Sequence, residues 1–106
     1  MTENERLKNK VRRSKKWKEF RNNLKKSQKF DPITGSKLTK RAICHHMDLN
    51  IEHYDILSED RQIMLNPESH DIVHYFFGTE NKKNNWKSRI LNLINILKKM
   101  ERYNNC

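Results

Sequence analysis

Apolar residues recur at Leu7, Val11, Trp17, Phe20 and Leu24, close to i, i+3/i+4 spacing, with no Gly or Pro between them. This predicts one amphipathic helix over residues 5–27. Its other face carries Lys8, Arg12, Arg13, Lys15, Lys16, Lys25 and Lys26, a cluster that suits a solvated face and direct phosphate contact equally. Phe30-Asp31-Pro32-Ile33-Thr34-Gly35 predicts a tight turn: Pro32 sets φ, Asp31 bonds back to the chain and Gly35 supplies a positive φ. Residues 38–46 predict a strand that ends in two histidines, and residues 47–60 a polar loop with a short helical turn near 51–57. Residues 61–65 predict a second strand, with Ile63 and Leu65 on one face. Asn66 as N-cap, Pro67 at the first helical position and Glu68 in the first turn open a helix to about Phe77, which Gly78 ends. A last helix is predicted over 81–103. Its stripe of Trp86, Ile90, Leu93, Ile94, Leu97 and Met100 suits core packing, with a short heptad seam for dimerisation as the alternative. The pattern is that of a small α/β (α+β) chain: strand, strand, helix, between two basic amphipathic helices.

Composition narrows this picture. At 106 residues a single domain is expected, and only 34% of the chain is apolar, with a mean hydropathy of −1.10. A core this small usually needs a metal, a disulfide or a partner to support it. Two cysteines, Cys44 and Cys106, make no disulfide framework and suit a reducing compartment. There is no basic-then-apolar leader and no apolar run of membrane-spanning length, so a soluble cytoplasmic protein without a membrane partner is expected.

The net charge of +10 is unevenly distributed. Residues 1–29 hold 12 Lys/Arg against 3 Asp/Glu, residues 30–77 hold 4 against 8, and residues 78–106 hold 7 against 2. Two basic flanks therefore enclose an acidic middle, an arrangement that attracts phosphate at the flanks and leaves a place for a cation between them.

Four of the five histidines lie in that middle, as the adjacent pair His45-His46 and the H-x3-H pair His70 and His74. Two His four apart on a helix share one face and can share a metal. Adjacent residues on a strand point to opposite faces, so one of His45 and His46 can ligate while its neighbour does something else. Three ligands (His45, His70, His74) leave open positions on an ion, as catalytic sites do, and a His of near-neutral pKa can take a proton from water. A closed structural site of four His is the bland alternative. Cys44, on the same strand, should face away from His45. His53 reads as a surface residue or a DNA contact.

These residues resemble the HNH (ββα-metal) endonucleases over roughly residues 14–77, most specifically over 44–74, in the His-rich branch that includes bacterial toxin DNases. Small phage members share the flavour of Trp17-Lys18-Glu19-Phe20-Arg21 ahead of a turn and strand. The resemblance implies a ββα-metal core, His46 as general base, and His45, His70 and His74 as ligands to one divalent ion (Mg, Mn, Ni or Zn). It also implies hydrolysis of DNA, most simply by nicking, with RNA as a further substrate option, in the cytoplasm of the cell or of a phage's host. Two departures stand out. Many members carry a structural zinc on two Cys-x-x-Cys knuckles, and here those positions read Asp31-Pro32-Ile33-Thr34-Gly35 and Asn66-Pro67-Glu68-Ser69. The middle Asn of the family's motif should fall at Arg61 or Gln62, which leaves Asn66 as a supporting residue. Backbone contacts are expected from Arg12, Arg13, Lys15, Lys16, Lys83 and Lys87. The competing readings are a non-catalytic nucleic-acid-binding protein on an HNH-like fold and a phage-encoded interaction protein.

Overall fold

The computed structural model describes residues 1–48, 50–77 and 80–104, with side chains in the last stretch from Asn85 onward. The chain is a small α+β protein whose described residues form four α-helices and a two-stranded antiparallel sheet. It divides into two compact units, Met1–His70 and Asp71–Cys106, and the division falls inside one continuous helix.

The N-terminal segment is two helices rather than the single one that its apolar spacing predicts: α1 (Glu3–Arg13) and α2 (Lys15–Gln28). Ser14 makes the break. It is extended (ψ 148°), its N–H donates to the Val11 carbonyl, and its hydroxyl accepts the Trp17 N–H. A serine that satisfies backbone groups at both helix ends competes with helix continuation without any Gly or Pro. The consequence is a change of role at residue 14. α1 buries no side chain, whereas α2 buries Trp17 and Leu24.

α2 packs on the sheet of β1 (Ile43–His46) and β2 (Gln62–Leu65), whose register pairs Cys44 with Met64 and His45 with Ile63. Leu24, Ala42 and Met64 form the core, with Phe20, Leu38 and Cys44 against them. The first strand is shorter than predicted because Thr39–Ala42 turns, closed by the Ala42 N–H on the Thr39 carbonyl. Gln28 covers the outer edge of β2: its amide oxygen accepts the Met64 N–H (2.9 Å) and its amide nitrogen donates to the Met64 carbonyl (2.7 Å). A side-chain amide thus stands in for a third strand at an edge that would otherwise be open.

The predicted turn at 30–35 is present, with Gly35 at φ 75°. Asp31 organises more than the turn. Its Oδ1 accepts the Ile33 and Thr34 N–H groups and the Ser69 hydroxyl, while Oδ2 accepts the Asn66 N–H. Asp31, Asn66 and Ser69 are all buried. The carboxylate of one loop therefore supports the start of α3 (Pro67–Phe77), and the expected N-cap, Asn66, turns its side chain elsewhere. Asn66 Oδ1 accepts the Thr39 N–H and Nδ2 donates to the Lys37 carbonyl. Burial pushes the Asp31 pKa up, but the donors from Thr34, Asn66, Ile33 and Ser69 outweigh it and hold the group at about 2.

In the second unit, α4 (Glu80–Asn104) follows α3. Arg89 donates to the Tyr75 and Phe76 carbonyls at the end of α3 (2.6 and 3.3 Å), and Phe77 meets Trp86 edge-on. Of the stripe predicted to pack in a core, Trp86 and Ile90 are half-buried, whereas Leu93, Ile94, Leu97 and Met100 are exposed. A 25-residue helix extends about 37 Å. The predicted terminator Gly78 and the side chain of Lys83 lie outside the described residues. No helix among the described residues is long and apolar enough to cross a membrane.

Candidate metal centre

Strand alternation separates the two adjacent histidines. Cys44, His46, Gln62 and Met64 take the face of the sheet toward α2, and His45 and Ile63 take the other. There His45 meets the first turn of α3, with its ring edge-on to His70 at 5.5 Å. His74 follows one turn along the same helix. Each of His45, His70 and His74 offers a ring nitrogen, and the three atoms lie within 4.8 Å of one another. Nitrogens about 2.0–2.1 Å from a tetrahedral ion stand about 3.3 Å apart, so this spacing is of the order that a shared metal ion needs. His45 and His70 are half-buried and His74 is exposed, which leaves a solvent-facing side. Three imidazoles without a cysteine or carboxylate fit a divalent ion with open positions. Cys44 packs in the core on the other face, and burial pushes its thiol up to about 11.

His46 occupies a different environment. Its ring is stacked between Trp17 (5.4 Å) and Tyr54 (4.2 Å), and its Nε2 is buried with no hydrogen-bond partner. Burial lowers its pKa, the Arg12 and Lys8 charges lower it further, and a hydrogen bond to the Tyr54 backbone opposes them. Together these effects favour the neutral ring. Tyr54 is itself held from α1: Arg12 Nε donates to its hydroxyl (2.9 Å) and the Lys8 ammonium lies 5.5 Å from its ring centre. Beside His46 opens a cleft of about 300 Å³ lined by Asn4, Lys8, Asp48, Ile51 and Tyr54.

The segment that carries Tyr54 is pinned by Gln62. This buried amide donates to the Ile56 carbonyl (2.8 Å) and accepts the Ser58 N–H (2.9 Å). The predicted helical turn is a 3-10 turn at Ile51–His53. His53, expected as a surface residue, is half-exposed and pairs with Asp48 (2.8 Å), which also receives Arg61. Hydrogen bonds from the Asn50 backbone and the His53 ring lower the Asp48 pKa.

The remaining predicted residues divide simply. Arg13, Lys15, Lys16 and Lys87 are exposed, with Lys15 near Glu19 (3.8 Å) and Lys87 over the Trp86 ring; Arg12 is engaged with Tyr54. Asn66 lies in the Asp31 cluster. The roles of Tyr54, Gln62 and Asp48 were not foreseen. An aromatic residue in an otherwise polar loop, and an amide in a short strand, were the available signals. No family model, curated protein or solved structure matches the chain.

Proposed function

We propose that this chain is a metal-dependent endonuclease of the HNH type that nicks DNA by hydrolysis of its phosphodiester bonds. The observation that carries the reading is the convergence of His45, His70 and His74, which the motif resemblance names as ligands. Two further features favour it. The segments at the family's knuckle positions are tied here by the Asp31 carboxylate, which gives a route to the same loop shapes without zinc. Gln62, one of the two residues (with Arg61) at the position expected for the motif's Asn, fixes the loop that packs on His46.

A divalent ion bound by the three histidines would supply Lewis-acid stabilisation of the phosphate and the leaving oxygen. The chain's own contribution is the base and its surroundings. Burial and the nearby Arg12 and Lys8 charges lower the His46 pKa and so favour the neutral ring, the form that would accept a proton from the attacking water. Lys8 lines the cleft beside it and supplies positive charge for an approaching phosphate. Tyr54 and Trp17 fix the plane of the ring, and the Tyr54 segment must yield for water to reach the enclosed Nε2. Exposed Arg13, Lys15, Lys16 and Lys87 give backbone contacts with little sequence reading.

The enclosure of Nε2 favours a second reading, a non-catalytic nucleic-acid-binding protein in which His46 is a packing residue. His46→Gln separates the two, because it keeps bulk between the rings. In the nuclease reading the variant loses plasmid nicking by about 100-fold or more and retains DNA binding. Undiminished nicking in the variant contradicts the role of His46. Absence of nicking in both proteins, with binding intact, favours the binding module.

A further inference from the structure

A second feature of the first unit lies at the end of α2, apart from the histidines. Asn22, Lys25, Lys26, Lys29 and Leu38 line an open groove of about 420 Å³. Three of its five lining residues are lysines and none is acidic. None of the three lysines makes an ion pair among the described residues. Lysines in the last turn of a helix are ordinarily explained by the helix dipole, and Lys25 and Lys26 fit that explanation. Lys29 does not. It adopts φ 66°, ψ −40°, the one non-glycine residue at positive φ among the described residues. It is the centre of a γ-turn in which the Phe30 N–H donates to the Gln28 carbonyl (2.8 Å). That turn is the rare, strained form, and helix ends with positive φ are usually filled by Gly or Asn. The backbone would be eased by glycine, yet the residue there is a third lysine on the same groove. A lysine at a strained position points to a use for the side chain.

We propose that this groove binds the phosphodiester backbone of nucleic acid, with Lys25, Lys26 and Lys29 each meeting a phosphate. The proposal rests on the nucleic-acid part of the functional reading and is independent of catalysis. A groove with three flexible ammonium groups and no acid suits a chain of phosphates better than a single ligand.

The test is binding of the full chain, in EDTA, to a short duplex DNA and to duplex RNA of the same sequence, by fluorescence anisotropy across a salt series. Lys29→Gly fits the backbone without strain, so a loss in this variant reports on the side chain rather than on folding. Lys25→Gln and Lys26→Gln keep helix propensity, and circular dichroism checks that all variants are folded. On duplex DNA the slope of log affinity against log salt should become shallower by about 0.9 in Lys29→Gly and by about 2.7 in the triple variant. The nucleic acid whose slope changes identifies which backbone the groove takes. Wild-type binding with slopes unchanged in the folded variants overturns the groove and leaves the nuclease reading intact. Absence of salt-dependent wild-type binding to either duplex overturns both.

Discussion

At the scale of single residues, buried polar groups tie together segments far apart in sequence. Asp31 is a buried carboxylate held by four donors from two segments far apart in sequence. Asp31→Ala strands those donors, and a loss of about 3 kcal/mol in denaturant unfolding is expected. The same group sets an acid limit. Its folded pKa, about 2, lies below the ordinary 3.8, so its stabilisation is fully present above about pH 4 and disappears as pH falls through 2. The wild type should therefore lose stability more steeply than Asp31→Ala between those pH values; parallel pH-stability curves would contradict this. His45, His70 and His74 make a second residue-scale prediction. Each single change to Ala should lower Zn²⁺ or Ni²⁺ affinity by about 100-fold or more in calorimetric titration, while Cys44→Ser should leave it unchanged. The histidine set was legible in the sequence because metal chemistry has a characteristic spacing. The Asp31 cluster was not, since an Asp before a Pro explains itself as a turn and gives no sign of its distant partners.

At the scale of elements, the sequence was most legible where several local signals agree. α3 begins at Pro67 and runs to Phe77 as predicted, because Pro at the first helical position and an acidic first turn agree with the apolar spacing. The strand–strand–helix order was readable for the same reason. The long N-terminal helix was not: periodicity continues smoothly through Ser14, and the break depends on a hydroxyl that satisfies two helix ends. Ser14→Ala should cost about 1 kcal/mol of stability, measured by thermal or urea unfolding. Gln62 had no readable role beyond strand membership, because its partners, Ile56 and Ser58, are in an irregular loop. Gln62→Leu should cost about 2 kcal/mol and broaden the Tyr54 ring signals in NMR, since the loop loses both amide contacts. Unchanged stability in that variant would remove Gln62 from the support of His46.

At the scale of the whole molecule, charge segregation and burial divide the tasks. The core around Leu24, Ala42 and Met64 is small and serves mainly to hold β1 and β2 against α2. Two histidines delivered by one strand then reach different environments, one with His70 and His74, the other between Trp17 and Tyr54. The last helix leaves its apolar residues exposed from Leu91 onward, which the period of the pattern could not reveal: periodicity identifies an apolar face but not whether anything covers it. The central claim is that this division produces metal-dependent phosphodiester hydrolysis. The most direct measurement is nicking of supercoiled plasmid by protein stripped with EDTA and given back Mg²⁺, Mn²⁺, Ni²⁺ or Zn²⁺ one at a time. Conversion to open circles only when an ion is restored, and lost in His70→Ala, is the predicted result. Equal cleavage with and without metal, or none with any of the four ions, would contradict it.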